Sequence, residues 1–70
     1  MELQKGDLIY IPQDVYLYGE DVKYRTSKPQ TGLYIDETTH NYMIQVLVDG
    51  IRMNVRKNHV YPLKEEANAS

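Results

Sequence analysis

Hydrophobic and polar residues alternate most regularly over residues 42–56, on both sides of the dipeptide Asp49-Gly50. A two-residue type I′ turn needs positive φ at both central positions, which glycine adopts without a steric penalty and aspartate tolerates. The turn predicts a β-hairpin with three apolar pairs, Val48 with Ile51, Val46 with Met53 and Ile44 with Val55. The other face of the hairpin would carry Met43, Gln45, Leu47, Arg52, Asn54 and Arg56. A slip of one residue would mix the two sets, so turn chemistry and alternation predict the same register.

Shorter apolar runs predict three more strands. Residues 8–11 form the first, with Ile9 and Ile11 facing the core, and Pro12 ends it because proline cannot donate to a central ladder. Residues 33–35 form the second, with Leu33 and Ile35 inward. Residues 57–59 read as a single 3₁₀ turn, and residues 60–63 follow as a closing strand. Between the first two, residues 13–30 are polar and tyrosine-rich without steady alternation, which indicates a long loop over one end of the sheet.

Length and composition restrict the class of protein. A chain of 70 residues allows one small domain, and the absence of cysteine excludes a disulfide framework and the common structural zinc sites. We expect residues 1–63 to form that domain and residues 64–70 a flexible tail, because the tail contains no large apolar residue. The net charge of −2 provides no global attraction to polyphosphate or anionic lipid. The chain shows neither a secretory signal nor an apolar run that would cross a bilayer, so we expect an intracellular or virion location and no membrane.

Five short strands, a long loop after the first and a 3₁₀ turn before the last predict an all-β, five-stranded SH3-like barrel. The segments that carry this interpretation are residues 6–11, 31–35, 46–50 and 55–63. They resemble the small SH3-like proteins encoded by tailed bacteriophages and, more loosely, KOW and Tudor-type barrels. The resemblance implies a virion or accessory component without catalysis. The chain departs from this pattern in having Met53, and no tryptophan, in the strand after the Asp-Gly turn.

Seven tyrosines without any phenylalanine or tryptophan are an unusual aromatic selection. Tyrosine combines contact area with a hydroxyl group, which suits interfaces. Tyr16, Tyr18 and Tyr24 lie in the long loop, and we expect Tyr10 and Tyr34 to point away from the isoleucines beside them. These residues either form a protein-binding patch or simply cover a small barrel.

Basic residues form two local sets. Lys23, Arg25 and Lys28 in the loop, together with Tyr24, could contact phosphates and stack bases, although Asp14, Glu20 and Asp21 would cancel much of their field. A solvated surface is the alternative. On the outer hairpin face, Arg52 and Arg56 beside Met43 and Leu47 are typical of an interface rim, or of an ordinary exposed sheet face.

No pattern of residues predicts a reaction or a bound metal ion. His40 and His59 lack the spacing of convergent zinc ligands, and we interpret them as turn residues. Thr26, Ser27 and Thr31 have no histidine assigned nearby that could act as a base. The sequence therefore predicts no enzymatic activity, no cofactor and no small-molecule substrate.

The sequence favours a protein-interaction or structural module that binds a protein partner or itself. Its contacts would come from Tyr16, Tyr18, Tyr24, Arg25, Tyr34, Met43, Leu47, Arg52 and Arg56. One alternative is a KOW- or Tudor-like module that binds nucleic acid, or an enzyme acting on it, through Lys23, Tyr24, Arg25 and Lys28. Another is a small phage inhibitor of a host protein, which would use the same kind of surface.

Overall fold

Seven β-strands and one 3₁₀ helix make up residues 3–63, the part of the chain that this computed structural model describes. The strands are β1 (Leu8–Ile11), β2 (Tyr16–Tyr18), β3 (Lys23–Arg25), β4 (Gln30–Glu37), β5 (Met43–Val48), β6 (Ile51–Arg56) and β7 (Tyr61–Pro62). The 3₁₀ helix, Lys57–His59, lies between β6 and β7 as predicted. The predicted flexible tail, residues 64–70, lies outside the described residues.

All strand pairs are antiparallel and form one sheet in the order β3-β2-β6-β5-β4-β1-β7. The all-β class is confirmed. The pairing ends at β3 on one side and at β7 on the other, so the sheet is open and has seven strands, where the sequence predicted five strands closed into a barrel. The two additional strands, β2 and β3, lie inside the segment that was predicted to be a loop.

The central hairpin has the predicted register. Asp49 and Gly50 have φ of 54° and 77°, as a type I′ turn requires. The three predicted apolar pairs form, and all of their side chains are buried except that of Ile51, which is 54% exposed. Ile51 adjoins the turn opposite the buried Val48, and its own side chain stays largely exposed.

The prediction for β4 was wrong about which residues face the core. Tyr34 is buried, whereas Leu33 and Ile35 are only half-buried. Leu33 pairs with Leu8 and with Leu47, which both point away from the core, and paired residues share a face. Since three consecutive apolar residues fit either register, alternation alone could not decide between them.

Gly32 shows why β4 takes this register. It faces the core, where an added Cβ would lie 3.2 Å from Ile11 Cδ1 and 3.3 Å from Val48 Cγ2. A larger side chain would crowd the core at this point, so the absence of one lets β4 approach closely. Tyr34, two residues further along, then also points inward. Burial and the nearby carboxylate of Glu37 raise the pKa of the Tyr34 phenol.

Residues 13–30 were predicted to be a loop, but they contain the hairpin of β2 and β3. Val15 and Leu17 alternate with Tyr16 and Tyr18, and both aliphatic side chains are buried in the core. Tyr18 pairs with Asn54, which joins this hairpin to β6. The run Val15-Tyr16-Leu17-Tyr18 does alternate, but it is too short to stand out among the polar residues around it.

Thr26 anchors the β2–β3 hairpin to the end of β1. It is 1% exposed, and its hydroxyl accepts a hydrogen bond from the Val15 amide (3.0 Å) and donates one to the Pro12 carbonyl (2.8 Å). The Thr26 amide donates to the Val15 carbonyl, and its carbonyl accepts from the Asp14 amide. A residue that the sequence suggested only as a loop hydroxyl therefore joins the end of β3 to the connection between β1 and β2.

We expect Thr26→Val to destabilise the domain by about 1–3 kcal/mol, because it leaves the buried Val15 amide and the Pro12 carbonyl without a partner. Thr26→Ser is the matched control, since it keeps the hydroxyl and removes one methyl group, a loss of roughly 1 kcal/mol. Urea unfolding followed by circular dichroism gives both values. Equal losses in the two variants would show that the hydroxyl does not stabilise the fold.

Candidate functional site: the outer face of the sheet

One continuous surface carries most of the residues that the sequence suggested for binding. Directly paired residues of an antiparallel sheet point to the same side, so the register defines the surface opposite the core. We call it the outer face, and its residues are Leu8, Tyr10, Tyr16, Tyr18, Lys23, Arg25, Thr31, Leu33, Asp36, Met43, Gln45, Leu47, Arg52, Asn54, Arg56 and Tyr61. Because β2 pairs with β6, Tyr16 and Tyr18, which were predicted to lie in a loop, continue the outer side of the central hairpin.

A row of three leucines crosses the outer face. Leu8 pairs with Leu33 and Leu33 with Leu47, so the row spans β1, β4 and β5, and Arg52 of β6 pairs with Leu47 at its end. Leu8 is 48% exposed, and Leu33 and Leu47 are half-buried. Contiguous apolar side chains on a surface, bordered by polar ones, are typical of protein contact sites.

A polar row runs beside the leucines. Gln45 pairs with Asn54, Asn54 with Tyr18, and Tyr18 with Lys23. Tyr18, Gln45, Arg52 and Asn54 contribute to a shallow cavity of about 320 Å³. Glu20 and Met53 also line it, so the cavity places amide, phenol, guanidinium and carboxylate groups next to the leucine row, a combination that can hydrogen-bond a polar partner group.

Lys23 covers the tyrosines of β2. Its Nζ lies 4.8 Å from the centroid of the Tyr16 ring and 6.0 Å from that of Tyr18, and the two rings are stacked 6.4 Å apart. Cation–π attraction holds the ammonium group at this position. At the other end of the outer face, Arg56 Cζ lies 5.4 Å from the Tyr42 ring, which also stacks on His40.

Two carboxylates neutralise part of the basic charge. Asp14 lies 3.7 Å from Arg25 Nε, and Asp36 lies 3.2 Å from Lys5 Nζ. The Glu37 amide, which donates to Asp36 Oδ1 at 2.8 Å, lowers the pKa of Asp36, and Lys5 and the more remote Arg52 lower it further. Within residues 3–63, Lys23, Arg52 and Arg56 form no ion pair.

The structure brings together seven of the nine residues proposed for protein binding. These seven lie on the outer face: Tyr16, Tyr18, Arg25, Met43, Leu47, Arg52 and Arg56. Tyr24 pairs with the buried Leu17 and points to the opposite side of the sheet. Tyr34 was expected to point outward but is 5% exposed, so it belongs to the core and offers no ring to a partner.

The set proposed for nucleic acid is divided. Lys23 and Arg25 share the outer face, Tyr24 lies on the other side, and Lys28 is exposed in the connection between β3 and β4. The tyrosines beside Lys23 are Tyr16 and Tyr18. The cations therefore lie next to these two stacked rings and not, as the sequence predicted, next to Tyr24.

Sequence reasoning missed Leu8, Leu33, Gln45 and Asn54 as members of the site. Leu8 could have been found, because it alternates with the inward Ile9 and Ile11. Leu33 could not, because its orientation depends on the close approach at Gly32. Gln45 and Asn54 were placed on the correct face, but only the pairing of Asn54 with Tyr18 makes them neighbours of the tyrosines.

Among residues 3–63, no group of three or more His, Asp or Glu side chains could hold a metal ion. The same residues include no helix with the length and apolar character needed to cross a membrane. Comparisons of the chain with protein-family models, with curated proteins and with solved structures give no match.

We expect Lys5→Met to raise the pKa of Asp36 only part of the way to its ordinary value, because the Glu37 amide still donates to the carboxylate. Because the pKa of Asp36 is lower in the folded state than its ordinary value of 3.8, the ionised carboxylate stabilises the folded state at pH values above 3.8. This stabilisation is lost as the pH falls through the pKa of Asp36 in the folded state. Carboxyl ¹³C NMR titration measures the pKa directly. Lys28→Met, which removes an exposed lysine that does not contribute to this shift, is the control. An unchanged pKa in Lys5→Met would contradict the ion pair.

Proposed function

We propose that this chain is a non-enzymatic, SH3-like interaction module that docks onto a larger protein assembly through the outer face of its sheet. The observation that carries the proposal is the leucine row of Leu8, Leu33 and Leu47, bordered by Arg52 on one side and by the tyrosines of β2 beyond it. Interfaces are enriched in tyrosine, arginine and methionine around an apolar centre, and the outer face has this composition.

The order of elements supports the SH3-like assignment. A hairpin inserted after the first strand, an Asp-Gly turn between the two central strands and a 3₁₀ turn before the last strand occur here in that order. We propose that the seven-stranded sheet is a variant of such a barrel. The resemblance to small phage proteins extends the proposal to a virion or accessory component, and a small inhibitor of a host protein would use the same outer face.

Nucleic-acid binding is the second candidate function. It is favoured by Lys23 and Arg25 beside the stacked rings of Tyr16 and Tyr18. Two observations weigh against it, because Lys23 already covers the rings that bases would stack on and Asp14 lies against Arg25. The near-neutral charge of the whole chain also favours a protein partner.

We expect a photoreactive benzophenone side chain at position 47 to crosslink the chain to one discrete protein, or to a second copy, in an extract of the cells that produce it. The same group at position 39, which is exposed in the connection between β4 and β5, is the matched control and should give no such product. Gel mobility and mass spectrometry identify the crosslinked species. Equal products at the two positions would contradict docking through the leucine row.

Arg52→Glu should abolish that crosslink, because it places a carboxylate at the end of the leucine row and reverses the charge that borders it. The variant should keep its circular dichroism spectrum and nearly the same unfolding midpoint, since Arg52 is exposed, forms no ion pair within residues 3–63 and acts on Asp36 only from a distance. An undiminished crosslink in a folded Arg52→Glu chain would exclude this side of the outer face.

The nucleic-acid alternative makes a different prediction. If the chain binds single-stranded oligonucleotides directly, fluorescence anisotropy should show an affinity that falls steeply with salt, and Lys23→Ala should weaken it and reduce the salt slope by roughly one. Binding that does not depend on salt, or no binding at low salt, would reject direct contact with the polyanion.

A further inference from the structure

The outer backbone edge of β3 has hydrogen-bonding groups that its own sheet does not use. The Gly19 amide donates to the Val22 carbonyl at 2.7 Å and the Thr26 amide to the Val15 carbonyl at 2.9 Å. Hydrogen-bonded and non-hydrogen-bonded pairs alternate in an antiparallel ladder. The pairs of Arg25 with Tyr16 and of Lys23 with Tyr18 are therefore non-hydrogen-bonded pairs. The amides and carbonyls of Lys23 and Arg25 consequently point away from β2, and no strand within residues 3–63 lies beyond them.

The other edge of the sheet is less suited to receive a strand. It is formed by β7, which has only two residues, and one of these is Pro62, which has no amide hydrogen to donate. Strands with a proline or with very few residues are the usual means of protecting an edge. Of the two edges, β3 therefore offers the longer row of free donors and acceptors.

The side chains of β3 indicate what kind of strand would fit. Lys23 and Arg25 point to the outer face. On the opposite side, Val22 is 53% exposed and Tyr24 is 37% exposed. A strand lying alongside β3 would meet two cations on one face and an apolar pair on the other. The carboxylates of Glu20 and Asp21, exposed in the turn before β3, restrict its acidic residues to the positions opposite Lys23 and Arg25.

A second copy of this chain does not fit this edge well when the two β3 strands pair antiparallel about Tyr24. Antiparallel pairing of β3 with itself about Tyr24 would place Lys23 of each copy opposite Arg25 of the other. Like charges directly opposite each other are destabilising. Asp14, which lies 3.7 Å from Arg25 Nε, shows instead that a carboxylate can approach this face.

We propose that β3 binds an extended acidic segment of a partner protein, which adds to the sheet as a further strand. Carboxylates of this segment lie opposite Lys23 and Arg25, and the residue between them is apolar and packs beside Val22 and Tyr24. The backbone bonds provide affinity, and the alternation of acidic and apolar residues provides specificity. The inference rests on the proposed function in one respect, that the partner is a protein. The contact itself is separate, since it is made by the edge of β3 and not by the leucine row.

The test uses three synthetic peptides added to the ¹⁵N-labelled full chain. One alternates glutamate and valine, the second has the same composition in block order, and the third alternates lysine and valine. We expect only the first to bind, with an affinity that falls as salt is added. In hydrogen-exchange NMR the Lys23 and Arg25 amides should become protected on binding, whereas the Tyr24 amide, already bonded to β2, should change little.

Variants at position 25 separate the contribution of the side-chain charge to peptide binding from that of the backbone amide. Arg25→Gln removes the charge and keeps the outward amide, and Arg25→Pro removes both. We expect Arg25→Pro to bind the alternating acidic peptide about fivefold more weakly than Arg25→Gln, as the loss of one hydrogen bond implies. Asp14→Asn should bind it more tightly, because the competing carboxylate is gone and asparagine accepts the positive φ of 66° at this position. If Arg25→Pro does not fold, protection of the Lys23 and Arg25 amides in the unmodified chain still tests whether the peptide adds as a strand.

Each other outcome would overturn the proposal. These outcomes are the absence of binding, equal binding of the block-order peptide, or binding without protection of the Lys23 and Arg25 amides. Protection by a single-stranded oligothymidine in place of the peptide would assign the edge to nucleic acid. Arg52→Glu distinguishes this inference from the proposed function, because it should abolish docking through the leucine row and leave the binding of the acidic peptide at β3 intact.

Discussion

The positive φ of Asp49 and Gly50 is the constraint on which the two faces of this sheet depend. It allows a two-residue turn, and the turn pairs Val46 with Met53 on the core side and Leu47 with Arg52 on the outer side. Because successive strand residues alternate between faces, a turn longer by one residue would shift this pairing and mix apolar with charged side chains. Both the leucine row and the polar row extend outward from this hairpin to the strands on either side.

The second determinant is a buried hydroxyl. Thr26 satisfies the Val15 amide and the Pro12 carbonyl, and its own backbone groups bond to Val15 and Asp14. Burying a polar group is costly unless the group is hydrogen-bonded. A buried group whose hydrogen bonds are all satisfied therefore favours one arrangement of the segments around it. Here the arrangement puts Leu17 into the core and Tyr18 beside Asn54, so that a short hairpin of mostly polar residues becomes part of the main sheet.

The outer face combines apolar contact area with charges that are only partly neutralised. Asp14 and Asp36 are each paired with one cation, whereas within residues 3–63 Arg52 and Arg56 have no such partner. Exposed ion pairs add little to stability, so the charges of this face act mainly on what approaches it. The outer face and the edge of β3 share Lys23 and Arg25. A partner docked on the leucine row and a strand added at β3 would therefore lie side by side.

The sequence alone determined the all-β class, the central hairpin with its register, the inward Ile9 and Ile11, and the 3₁₀ turn, because each depends on interactions between residues close in the chain. It also placed Met43, Leu47, Arg52 and Arg56 on one surface. Only the tertiary structure decided that Tyr34 is buried, that residues 13–30 contain two strands and that the sheet has seven. These features depend on contacts between distant segments: Gly32 against Ile11 and Val48, and Thr26 against Pro12 and Val15. Alternation of apolar with polar residues indicates which face of a strand is buried, but where apolar residues follow one another, as at Leu33, Tyr34 and Ile35, only packing decides.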